Sequence, residues 1–204
     1  MKIERDRVSI SSGVLAGRTT GAPIAMQIKN LDWANWVEKE IPAMTIPRPG
    51  HADLTGAIKY GYRDLRLALE RASARETAAR VAVGAVCQRL LREFGITVGS
   101  YVVRIGQVAA TLPDDCAYLD RFAQADMSEV RCPDPTAGEA MVGTIRETMK
   151  ARDTVGGVFE VVALALPPGL GSHVHWERRL DARLMMAVGS IQAVKGVEIG
   201  PAFE

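Results

Sequence analysis

A helix start set among arginines constrains this chain more than any other feature. In Glu70-Arg71-Ala72-Ser73-Ala74-Arg75-Glu76-Thr77-Ala78-Ala79-Arg80-Val81, Ser73 and Glu76 hold the S-x-x-E spacing of a capping box, so Ser73 is the expected N-cap of the helix that follows. Ala79, Val83, Val86, Leu90 and Phe94 recur at helical spacing and Gly95 is placed to end the run, which predicts a helix over residues 74–94 with one apolar face. Upstream, Arg48-Pro49-Gly50-His51-Ala52-Asp53-Leu54 adds a further arginine and a histidine.

Cations beside a helix N-terminus are disfavoured by roughly 0.3–1 kcal/mol, because unpaired backbone N–H groups already make that end positive. Arg71 and Arg75 beside the Ser73 start therefore point to an anion in the gap, a bound ligand being one source. Glu70 and Glu76 are another, since the chain's own carboxylates can neutralise both cations as they do on an ordinary solvated face.

The remaining segments suggest an α+β architecture. Val8 and Ile10, then Ile24, Met26 and Ile28, alternate with period two around the turn residues Gly13 and Gly17, which predicts antiparallel strands. Trp33 and Trp36 read as core or interface anchors rather than a base-stacking platform, because no basic stripe accompanies them. A helical pattern over residues 52–69 is interrupted by Gly56 and Gly61, with Arg63-Asp64 as a restart. Ile96, Val98, Ser100 and Val102 alternate as a strand, and a short helix is expected around residues 119–125. Thr136-x-x-Glu139 is a second capping box, opening a helix that uses Met141, Val142, Ile145 and Met149. Val158 to Leu166 reads as a buried strand, Leu180 to Ile191 as a last helix, and Val197 with Ile199 as a final strand. No β-α-β alternation with a G-x-G-x-x-G turn is present, which disfavours a dinucleotide-binding Rossmann fold.

Composition narrows the function classes. With 48% hydrophobic and 24% charged residues in 204, the chain is an ordinary globular sequence, and its net charge of +1 gives no global pull toward nucleic acid or membrane. No apolar run reaches the roughly 20 residues of a membrane span, and the start of the chain lacks a signal peptide's apolar stretch, so a cytoplasmic location is expected. Cys87, Cys116 and Cys132 are widely spaced and odd in number, which argues against a disulfide framework. His173 and His175 form an H-x-H pair with no third ligand nearby, so no metal site is expected.

The two arginine-bearing segments together resemble the chorismate synthase family, which carries R-P-G-H-A-D and then E-R-[AS]-S-A-R-E-T-x-x-R-V-x-x-G; here Gly84 completes the second pattern. Met1 to Asp6, Gly13 to Pro23, Gly156-Gly157-Val158, Leu170-Gly171-Ser172 and Ser190 to Gly200 are similar to other stretches of that family. The family's opening G-E-S-H-G motif and late R-S-D motif have no counterpart in these 204 residues, so a single domain over 1–204, incomplete at both ends, is expected.

The resemblance implies antiparallel sheets sandwiched by helices. It also implies a lyase that removes phosphate and a proton from 5-enolpyruvylshikimate 3-phosphate by anti-1,4-elimination, with reduced FMN required and NADPH as a candidate reductant. By the same resemblance His51 is the catalytic residue beside the reduced flavin, Arg48 and Arg75 bind substrate, and Arg71, Ala72, Ser73, Gln192 and Ala193 contact the flavin. Guanidinium suits two carboxylates and a phosphate because it grips them bidentately, and imidazole can donate a proton near neutral pH. A homotetramer is the assembly implied. The competing reading is a remnant that keeps FMN or substrate binding, or an assembly role, without catalysis. Arginine-driven nucleic-acid binding is opposed by the near-zero charge and the lack of a reader motif.

Overall fold

The computed structural model describes residues 6–201, so of the Met1 to Asp6 stretch only Asp6 lies within the described residues. These residues form two compact units, one of residues 6–87 with 171–201 and the other Gln88–Leu170. Both mix helices with antiparallel strands, giving an α+β fold.

In the first unit β1 (Val8–Ser12) pairs antiparallel with β4 (Ala25–Ile28), Val8 opposite Ile28 and Ile10 opposite Met26. Between them β2 (Val14–Leu15) and β3 (Arg18–Thr19) form a hairpin whose two loop residues, Ala16 and Gly17, both have positive φ, as a type I′ turn requires. Gly13 is needed where the hairpin springs from β1: a Cβ there would stand 2.6 Å from the Pro23 carbonyl oxygen, at φ +84°. Trp33 lies in a 3-10 helix, Leu31–Asn35, with Trp36 just after it, and both are substantially exposed, so neither anchors a core within this chain.

Gly61, at φ 69°, ends α1 (Asp53–Tyr60) as a left-handed cap, and Asp64 restarts the chain by accepting from the backbone N–H of Arg66 and of Met44, each at 2.9 Å, before α2 (Arg66–Arg71). Gly56 does not interrupt α1. It lets Ala68 of α2 approach closely, since an added Cβ would lie 2.8 Å from that residue's methyl. Then comes α3 (Glu76–Glu93), which closes as expected at Gly95: the Gly95 N–H donates to Arg92 and the Ile96 N–H to Leu91, the paired bonds of a Schellman motif. Its predicted apolar face stays largely uncovered, with Val83, Leu90 and Phe94 all more than half exposed and Ala82 alone buried. After the short 3-10 turn Trp176–Arg178, α6 (Leu180–Gly189) completes this unit. Residues 194–200 form no strand, because Val197 and Ile199 find no partner backbone among the described residues.

The second unit is a three-stranded antiparallel sheet in the order β6 (Val108–Ala109), β5 (Thr97–Ile105), β7 (Gly157–Leu164), with α4 (Tyr118–Met127) and α5 (Pro135–Ala151) against it. Gly99 and Tyr101 share one face of β5, and Phe122 of α4 lies over both. Val102 and Ile105 pack with Ala137 and Met141 of α5 and with buried Cys132. The N-cap of α5 is Asp134, whose carboxylate accepts from the Ala137 N–H at 3.1 Å, and Pro135 takes the first helical position; Thr136 is already inside the helix. β7 is mostly exposed rather than buried, because α4 and α5 pack against β5 and β6 and leave the faces of this edge strand largely uncovered. The Tyr101 hydroxyl donates to Glu160, its direct cross-strand partner, and accepts from Arg121 at 3.4 Å; burial first, then the carboxylate, pushes the phenol up to about 12.

Two glycine substitutions separate packing from propensity. Gly99→Ala puts a methyl 2.4 Å from the Phe122 ring and should lower stability by about 1–3 kcal/mol in urea unfolding, whereas Gly84→Ala, in open space within α3, should raise it by up to about 1 kcal/mol.

Candidate active site

Arg48-Pro49-Gly50-His51 forms a turn with Gly50 at φ 69° and the His51 N–H donating to the Arg48 carbonyl at 3.4 Å, the geometry that Pro-Gly favours in a type II turn. The turn folds Arg48 back onto the first residue of α1. Asp53, fully buried, accepts from the Arg48 backbone N–H at 3.0 Å, from Nε at 2.9 Å and from a terminal guanidinium nitrogen at 3.0 Å. Those bonds to Arg48, with the nearby His51 charge adding a smaller effect, hold the carboxyl at about 2 and raise the guanidinium above its ordinary value. His51 is exposed, and its Nδ1–H donates to the Pro49 carbonyl at 2.8 Å. A carbonyl only accepts, so Nδ1 carries the proton and Nε2 is left for another partner.

Arg75 lies in the turn just before α3. Its guanidinium donates to both oxygens of Asp6 at 2.7 Å and to the Lys29 carbonyl at 3.4 Å, and that grip holds the Asp6 carboxyl below the usual carboxylate range. Arg75 also lines a groove of about 360 Å³ whose other walls are Ile24, Met26 and Ile28 on one side and Ala78, Ala79, Ala82 and Val83 of α3 on the other. The groove is apolar with one cation at its rim.

Ser73 caps differently from the expected box. Its hydroxyl accepts from the Arg75 N–H at 3.2 Å, α3 begins only at Glu76, and the Ser73 N–H donates to the Glu70 carbonyl instead of to Glu76. The Glu76 carboxylate serves a distant partner. Gln192 Nε2 donates to it at 2.7 Å across 116 residues of sequence, while Arg80 and Arg71 each stand 3.3 Å from its other oxygen. These neighbours, Gln192 first, lower the Glu76 carboxyl. Arg80 also donates to the Ser190 hydroxyl at 2.8 Å, tying the end of α6 to the start of α3. Ala72 closes α2, and Ala193 sits in the left-handed region at φ 70°.

Of the residues picked out by sequence, the structure thus brings Arg71 and Gln192 to one carboxylate, groups Arg48 and His51 around Asp53, and sets Arg75 against Asp6. Sequence reasoning missed the roles of Asp53 and Asp6; Asp53 was within reach, because the Arg48-to-Asp53 spacing closes a turn. Among the described residues no group of three His, Cys, Asp or Glu could hold a metal ion, and all three cysteines are free thiols.

The Asp53 geometry yields a pH signature. Its folded value, about 2, lies below the ordinary 3.8, so its contribution to stability is complete above pH 4 and is lost as pH falls through the interval from 3.8 to about 2. Asp53→Asn should remove that part of the stability curve and lower the melting midpoint at pH 7, measured by thermal unfolding between pH 2 and 7.

Comparison with known proteins joins these local observations. A sequence model of chorismate synthase matches residues 1–204. The chain is 56% identical to the chorismate synthase of Trichlorobacter lovleyi and 53% identical to that of Aquifex aeolicus, covering all of this chain but 54% and 55% of those proteins. A crystal structure of chorismate synthase superposes with a TM-score of 0.82 at 49% identity, over 97% of this chain and 56% of that one. The chain therefore spans about half the length of the curated relatives it matches, and over that span it belongs to the chorismate synthase family.

Proposed function

We propose that this chain contributes the Arg48–His51 and Arg71–Gln192 portions of a chorismate synthase active site, which eliminates phosphate and a proton from 5-enolpyruvylshikimate 3-phosphate to give chorismate. The observation that carries the reading is the meeting of Arg71 and Gln192 at Glu76, because two residues assigned to one ligand from distant segments are held together by a shared carboxylate.

The residues present fit a flavin. Arg71 offers a largely exposed guanidinium to a phosphate or a ring oxygen, and the Ser73 hydroxyl lies in the turn that opens α3. Gln192 Oε1 is buried without a hydrogen-bond partner among the described residues, a defect that costs about 1–3 kcal/mol until a donor reaches it. Reduced FMN, when bound, supplies an electron-rich ring beside the substrate.

The chain's own groups do the binding and the proton work. With Nδ1–H fixed on the Pro49 carbonyl, His51 presents Nε2 as the atom that takes or gives a proton. Asp53 orients the permanently charged Arg48 and leaves its side chain about two-fifths exposed, where a substrate anion can reach it. Arg75, oriented by Asp6, brings its cation to an apolar groove where a carboxylate or phosphate is held more strongly than in open water. The elimination is redox-neutral overall, so NADPH enters this reading only as the source of reducing equivalents for the flavin. Homotetrameric assembly is supported by the uncovered apolar residues of α3 and α6, and a cytoplasmic site of action by the chemistry of the family; among the described residues no helix is long and apolar enough to cross a membrane.

The test is chorismate formation from 5-enolpyruvylshikimate 3-phosphate with reduced FMN, in this chain and in a polypeptide extended to the length of its relatives. The extended protein should turn over, His51→Ala in it should lower kcat roughly 10²–10⁴-fold, and Arg71→Ala should weaken FMN binding about tenfold. An extended protein that makes chorismate with kcat unaltered by His51→Ala would remove His51 from the chemistry. FMN binding without turnover in any form of the protein would identify a binding remnant.

A further inference from the structure

The sequence assigns Glu76 to a helix cap, yet its side chain makes no cap bond to Ser73 and spends both oxygens on other groups. We infer that Glu76 is a positioning residue for the flavin-contacting surface: it fixes the orientation of the Gln192 amide and fastens the Ser190–Val194 loop to the first turn of α3, so that Arg71 and Gln192 face a ligand as one unit.

An ionised carboxylate has no proton to give, so the amide facing Glu76 at 2.7 Å must present its NH₂, and Oε1 is thereby turned away, where it is buried and unpartnered. Among the described residues nothing else in the loop sets that choice. Val194 and Ile191 make only local backbone bonds, from the Val194 N–H to Ile191 and from the Ile191 N–H to Val188, and the Ser190 hydroxyl donates to the Ala187 carbonyl while accepting from Arg80. Arg80, at 3.3 Å from Glu76, is itself oriented by the carboxylate, so the second tether to the loop also runs through Glu76. Arg71 completes the set: its exposed guanidinium has Glu76 as its ion-pair partner and is held near the loop without being buried. One carboxylate therefore governs three groups whose positions have to agree for any ligand that bridges the end of α2 and the loop after α6.

This inference rests on the flavin-site reading above, and the experiment separates the two. In the 204-residue chain, FMN affinity by flavin fluorescence and amide hydrogen exchange without ligand are measured for the wild type, Glu76→Ala, Glu76→Gln, Gln192→Ala and the Glu76→Ala/Gln192→Ala pair. Glu76→Ala should weaken FMN about tenfold, Gln192→Ala by a similar factor, and the pair by about tenfold rather than about a hundredfold, since both changes remove one coupled element. A purely structural role would make the two losses multiply. Exchange at the Ser190, Ile191 and Val194 amides should rise about tenfold in Glu76→Ala and stay near wild type in Glu76→Gln, whose carbonyl still accepts from Gln192. Multiplying losses in FMN affinity, or unchanged exchange at these amides in Glu76→Ala, overturns the inference. Absence of FMN binding by the wild-type chain counts against the flavin site in this chain, and the exchange data alone then decide the role of Glu76.

Discussion

The hydrogen bond from Gln192 to Glu76 is the contact on which the functional reading depends. It spans 116 residues, joins the beginning of α3 to the loop after α6, and places the two halves of the proposed flavin-contacting surface on one support. Without it, Arg71 would be one solvated cation among many and Gln192 a turn residue. The same economy recurs elsewhere: Arg48 is set by buried Asp53, and Arg75 by Asp6. Each arginine of the two motifs is paired with a carboxylate of the protein, which points a flexible cation before any ligand arrives. Preorganisation of this kind lowers the entropy lost when an anion binds.

These pairings also change how the crowding of arginines near the α3 start is understood. An anion does fill the gap, and within the described residues it is Glu76 in the first turn, a favourable site for a carboxylate beside the positive end of the helix. The bland and the functional readings of the motif are therefore complementary. Carboxylates neutralise the cations in part, while Arg71 stays largely exposed and Arg48 and Arg75 are partly so.

What the sequence made legible was local. The Schellman end of α3 at Gly95, the stop of α1 at Gly61 and the hairpin around Gly17 all follow from glycine conformations within a few residues. One failure came where a distant partner won, and the others from local capping and from packing. The Ser73–Glu76 box is not closed, because Glu76 gains more from Gln192, Arg80 and Arg71 than from a backbone N–H that Glu70 already satisfies. Asp134 displaced Thr136 as a cap because Pro135 fits the first helical position. The run after Gly157 reads as buried from its apolar content alone, yet burial needs neighbours on both faces, and α4 and α5 pack against β5 and β6 instead. For the site, the residue types were readable from motif wording, but the convergence on Glu76 depends on tertiary structure that no spacing rule encodes.

The central claim is that Arg71, Ala72, Ser73, Gln192 and Ala193 form a single ligand-facing surface for the flavin. Titration of the isotopically labelled chain with reduced FMN, followed by amide chemical shifts, tests this directly. The account predicts shift changes that begin together at residues 71–73 and 192–193 and saturate with one affinity. Changes confined to the sheet of β5, β6 and β7, or separate affinities for the two segments, would contradict it.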